Sequence, residues 1–188
     1  MNSNKVKAII VGVLILFAYA VLASAVIDSK IVVMISEALS GFAVIGIAMI
    51  MFPLFKPYDK KASFWYIALR VAEGLLMVIA GILFLSDKTL LLDIRDAIYL
   101  GHAYIFAVAA LFFYYLLFSS NLIPRWLSVW GFIASILLLI VNVLEAAKIV
   151  QPSMILYLPI ISNEVFLAIW LIVKGFYISA ITSEVKLK

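Results

Sequence analysis

The chain is 188 residues long, 68% apolar and only 13% charged, with a mean hydropathy of +1.25. A soluble domain is about 45–50% apolar and about 25% charged, so a soluble fold is excluded: it would have no polar exterior to present. The absence of cysteine excludes disulfides, thiolate metal sites and a cysteine nucleophile. The formal charge of +4 fits basic residues flanking membrane spans better than nucleic-acid binding.

A membrane-spanning helix needs about 20 mostly apolar residues, and six stretches meet that length, at about 7–27, 31–55, 63–86, 97–118, 126–147 and 158–180. The expected fold class is therefore all-α, a single integral membrane bundle of six transmembrane helices. Short connections predict antiparallel packing of successive helices. Residues 87–96, which mix charge with leucine, predict a short interfacial helix with Asp93 or Asp96 capping the fourth span. Pro53 and Pro159 read as boundary prolines. A search for two inverted three-helix halves gives no convincing match, because Glu37 and Glu145 both lie near the outer ends of their spans.

Basic residues set the expected orientation. With the N-terminus inside, Lys5, Lys7, Lys56, Lys60, Lys61, Arg125, Lys186 and Lys188 are cytoplasmic, against Lys30, Lys88, Arg95 and Lys148 outside. This bias places both termini in the cytoplasm and the protein in the cell membrane. Tyr58, Trp65, Tyr66, Trp126 and Trp130 mark the inner interface. A rival reading takes Lys5, Lys7, the first apolar run and Ala23-Ser24-Ala25 as a cleavable signal, leaving five helices.

Ionisable residues inside the spans are the main functional hint, since each costs roughly 2.5–3.5 kcal/mol to insert and normally faces the bundle interior. Glu37, His102, Asn142, Glu145, Asn163 and Glu164 all fall roughly 5–10 Å below the outer interface at about 1.5 Å per residue. Together they are expected to line an outward-facing ligand cavity. Arg70, Glu73 and Lys174 lie deeper and are expected to form a buried ion pair that closes it. Tyr66, Arg70, Glu73 and Met77 share one helix face. Arg70 and Glu73 can pair within the helix, or Glu73 can reach Lys174, whose long stem can also snorkel to the inner headgroups. On the sixth helix Asn163, Trp170 and Lys174 share a face, with Glu164 about 100° away.

Three chemistries suit the cluster. Carboxylates beside an imidazole can bind a cation, although one histidine without cysteine is a poor zinc site, and metal binding stays open. Buried carboxyls can relay protons. The cluster can also recognise a cationic or polar ligand. The competing account is structural: each glutamate hydrogen-bonds across helices and fixes the packing. Ser36, Ser40, Gly41, Gly46, Ala103, Ala107 and Ala110 supply close helix contacts. A serine hydrolase is disfavoured, because His102 is the sole imidazole and no sequence elbow marks a nucleophile. No motif calls for a cofactor.

Three stretches carry a resemblance: Arg70-Val71-Ala72-Glu73-Gly74, the segment from Asn121 through Pro124-Arg125 to Gly131, and the segment from Asn163-Glu164 through Trp170 to Lys174-Gly175-Phe176. Together they resemble an uncharacterised family of small prokaryotic membrane proteins, known as a domain of unknown function. The resemblance implies the six-helix arrangement and marks Arg70, Glu73, Pro124, Glu164 and Lys174 as family features. It implies no activity. Pro124 would fix a tight turn anchored by Arg125, and Gly175 would permit close helix approach beside Lys174.

The reading that follows is a membrane protein that binds or transports a small polar or cationic ligand through a carboxylate-lined cavity. The alternative is a non-transporting scaffold or sensor subunit whose buried polar residues specify packing. The bilayer is the expected partner, lipid is a second candidate ligand, and a homodimer is compatible with the small size of the bundle.

Overall fold

Each of the six expected spans contains a helix among the described residues. The computed structural model describes residues 3–19 and 29–177. In chain order the helices are α1 (Ser3–Ala18), α2 (Lys30–Phe55), α3 (Lys60–Phe84), α4 (Thr89–Ser120), α5 (Arg125–Ala146) and α6 (Met154–Val173). No strand occurs among the described residues. The five helices α2 to α6 are each long and apolar enough to cross a bilayer, which makes the chain a multi-pass membrane protein. The 16 residues of α1 rise about 24 Å at about 1.5 Å each, somewhat less than a bilayer core of about 30 Å. The remainder of the first expected span, the end of the sixth, the Ala23-Ser24-Ala25 segment and the basic residues Lys186 and Lys188 lie outside the described residues.

Local chemistry sets the helix ends. Asp59 caps α3, its carboxylate accepting from the Ala62 amide at 2.9 Å. Asn121 ends α4 in the left-handed conformation, φ 50°. Its side-chain oxygen accepts from Arg125 Nε at 2.8 Å, so the turn into α5 is braced from both sides of Pro124. At the end of α5, Lys148 adopts φ 58°, with the Ile149 amide donating to the Leu144 carbonyl at 2.9 Å. Gly175 turns the chain out of α6 at φ 78°. A Cβ there would find no neighbour nearer than 3.8 Å. Its role is thus conformational, and the close helix approach expected of it is not where it acts.

Two boundaries differ from the sequence reading. Residues 87–96 do not form a separate interfacial helix: α4 begins at Thr89, its N-cap is Lys88, and Asp93 and Asp96 lie within it. The run from Leu90 to Leu100 contains neither proline nor glycine, so nothing interrupts propagation into the span. Similarly α6 starts at Met154 and takes Pro159 inside it.

The six helices form a closed ring. Each packs against its neighbours in the chain, and α1 packs against α6 to complete the circle. Cross-links show the antiparallel order: Lys30 at the start of α2 pairs with Asp87 just beyond α3, and Tyr115 late in α4 donates to Asp59 at the start of α3. The tightest crossing is between α2 and α3, where a Cβ on Gly41 or Gly74 would lie 2.5 Å from the other's carbonyl oxygen. Outward faces are apolar, with Phe42, Met49, Leu75, Ile82 and Ile169 exposed, as lipid contact requires.

Candidate functional site

A ring of six helices leaves space along its axis. The cavity has a volume of about 430 Å³ and is lined by residues from all six helices. Its floor is aromatic. Phe113 faces the cavity and packs on Phe55, Tyr66 and Tyr114 at centroid separations of 5.3–5.9 Å. These four rings close the end nearest the start of α3. Towards the other end, where α2, α4 and α6 begin, Tyr99, Tyr157 and the exposed Met154 line the opening.

Helix periodicity delivers the polar lining. Along α3, Arg70, Glu73 and Met77 face inward, on the one face their spacing predicts. Along α4, Tyr99, His102, Phe106 and Phe113 do the same, and along α6 Tyr157, Ile160, Ile161 and Glu164. Arg70 Nη1 bridges both oxygens of Glu73, at 2.9 and 3.1 Å, with both side chains buried. The guanidinium also lies 5.3 Å from the Phe106 ring centre and 6.0 Å from that of Phe113. His102 Nε2 stands 3.9 Å from Glu73 Oε1 without a hydrogen-bond partner, and its ring stacks on Phe106. Glu164 Oε2 accepts from the hydroxyl of Tyr19, the residue just after α1, at 2.8 Å. Asn142 Nδ2 donates to the Ala103 carbonyl at 2.9 Å, leaving Oδ1 buried and unpartnered.

Of the six residues expected to line an outer cavity, His102, Asn142 and Glu164 do so. The other three point elsewhere. Glu37 is fully buried between α2 and α4, where its Oε1 accepts from Arg95 Nη2 at 2.8 Å and from the Tyr99 hydroxyl. Glu145 accepts from Tyr157 at 2.6 Å. Asn163 donates to the Leu127 carbonyl of α5 at 3.1 Å. Arg70 and Glu73 pair as expected from their spacing, and they border the same cavity as Glu164. Lys174 is exposed at the C-cap of α6 and does not join them.

Several site residues escaped the sequence reading: Tyr19, Arg95, Tyr99, Phe106 and Tyr157. Arg95, Tyr99, His102 and Phe106 follow i, i+4, i+7, i+11 spacing, a signal that was present once residues 89–97 are recognised as helix. The three tyrosines carry no charge to draw attention inside an apolar run.

A model of the domain of unknown function DUF4386 matches residues 7–175. The chain belongs to the DUF4386 family. The matched segment of this DUF4386 protein contains the Arg70–Glu73 pair, the braced turn at Pro124 and the Glu164 helix. No curated protein and no solved structure matches it. Among the described residues, no group of three or more histidine or acidic side chains is arranged to hold a metal ion.

Proposed function

We propose that the protein binds, and carries across the membrane, a small polar or cationic ligand in the cavity enclosed by the helix ring. One observation supports this above the rest. Arg70, Glu73, His102 and Glu164, from three helices, all border the same space, and Arg70 Nε and His102 Nε2 remain buried there without hydrogen-bond partners. Buried polar groups are normally satisfied, so groups left open around a void of ligand size suit a ligand that completes them. The bias of basic residues towards the N-terminal side supports a cavity opening outward, with both termini in the cytoplasm.

A scaffold role has its own support in the carboxylates outside the cavity, because Glu37 and Glu145 are matched to partners on other elements or helices. Thermal unfolding of the detergent-purified protein against a panel of cations, amines and lipids separates the two. A ligand that raises the midpoint of wild type, but not of Glu164→Gln or Glu73→Gln, identifies the cavity as a binding site, since native-state binding stabilises by mass action. Unchanged midpoints across the panel, with both variants simply less stable, would leave the scaffold role.

A further inference from the structure

The cavity lining sets two carboxyls against one guanidinium, and that inventory describes the ligand. Arg70 and Glu73 neutralise one another through two hydrogen bonds within one helix turn. Glu164, across the cavity on α6, receives a single hydrogen bond among the described residues, from the uncharged phenol of Tyr19. The groups facing this space are Tyr19 just after α1, Arg70 and Glu73 on α3, Tyr99 and His102 on α4, Asn142 on α5 and Tyr157 on α6, while α2 contributes Val44 and Ile47. Tyr114 and the Arg70–Glu73 pair act on Glu164 electrostatically. With both carboxyls ionised and His102 neutral, the one guanidinium leaves one negative charge in the lining. A lone carboxylate at this depth is costly unless a cation meets it.

A second, independent observation concerns Asn142. It is 3% exposed, it lines the cavity, and its Oδ1 acceptor has no donor. The remaining walls are apolar, formed by Val44, Ile47, Met77, Phe106, Phe113 and Leu138. An ammonium group would supply the positive charge and the N–H donors, and an apolar body would cover the walls.

Building on the reading that this cavity takes a ligand, we propose that the ligand is a small monocationic amphiphile, an organic ammonium paired with Glu164 and with Asn142 Oδ1. An anion would face two carboxylates, and a neutral analogue would leave Glu164 alone. A dication would carry an unmatched charge among the apolar walls.

The test measures unfolding midpoints at pH 7.5 in a non-ionic detergent with four probes: benzylammonium, benzyl alcohol, benzoate and 1,4-diammoniobutane. Benzylammonium is expected to raise the wild-type midpoint in a saturable way, with the other three at least tenfold weaker. Glu164→Gln is expected to bind benzylammonium at least tenfold more weakly, and Glu164→Asp to recover most of that loss. Should Glu164→Gln not fold, the four-probe ranking on wild type and the Glu164→Asp affinity decide the matter by themselves. Equal or stronger binding of benzyl alcohol or benzoate, or a Glu164→Gln protein that binds benzylammonium normally, would overturn the ligand class and leave the cavity a binding site. No shift with any probe also overturns the class. The broader reading would then rest on the cation and lipid panel.

Discussion

The molecule holds two buried clusters with nearly the same chemistry. In one, Glu37 meets Arg95 and Tyr99 between α2 and α4. In the other, Glu73 and Glu164 meet Arg70 and Tyr19 around the cavity. In the first, the carboxylate and the guanidinium come from different helices. The Arg95 guanidinium lies over the Phe84 and Tyr99 rings at 4.4 and 4.6 Å, and the bonds tie α4 to α2. In the second, the ion pair is closed within α3, while Glu164 takes its one hydrogen bond among the described residues from an uncharged phenol. The same residue types therefore do opposite work. What separates a clamp from a site here is whether the pairing joins helices and whether the charges balance beside a void.

The sharpest way to break the comparison is to remove one partner from each cluster. Arg95→Met should destabilise the bundle by about 3–5 kcal/mol, because Glu37 is then buried without its cation. Unfolding by denaturant in mixed micelles would read the loss. Glu164→Gln should behave differently, leaving the ligand-free stability within about 1 kcal/mol of wild type or higher, since an unmatched charge is removed. A drop as large as that of Arg95→Met would mean that Glu164 is a clamp too.

Smaller effects sharpen the contrast. Gly74→Ala forces apart a crossing in which a Cβ would lie 2.5 Å from the Gly41 carbonyl, and should cost about 1–3 kcal/mol through overpacking. Tyr19→Phe removes the hydrogen bond to Glu164 and should cost about 1.5–3 kcal/mol, the range for hydrogen bonds to charged groups. If it instead leaves stability unchanged, the α1–α6 seam is held by packing alone. The smallest effect is at the exposed pair of Lys30 and Asp87. The Lys30 ammonium holds the Asp87 carboxyl below its ordinary value through a hydrogen bond and its charge. A depressed carboxyl contributes stability above its unfolded pKa and loses it as pH falls through the folded one. Asp87→Asn should accordingly flatten only the acid limb of the stability profile, below about pH 4.

The helices were legible in the sequence because hydropathy is a local property, and so was the Arg70–Glu73 pair, which needs only a spacing of three on a helix. The turn at Pro124 was legible too, as proline and Arg125 act on their immediate neighbours. The partners of Glu37 were not. Arg95 reads as a loop cation when the span is placed at 97, and its role appears only once α4 extends back to Thr89. The contact between Tyr19 and Glu164 spans 145 positions, and no local pattern encodes a pairing of that range.

That long-range closure has a consequence for how the protein is made. The ring is completed by α1 against α6, a helix made early against one made five helices later. Until α6 emerges, α1 carries a flank, with Gly12 at its centre, that awaits Ala168 and Leu171. Glu164, which borders the cavity, enters the bilayer only with α6. Chain order thus brings Glu164 to a bundle whose other five helices already stand and whose Tyr19 is there to bond it.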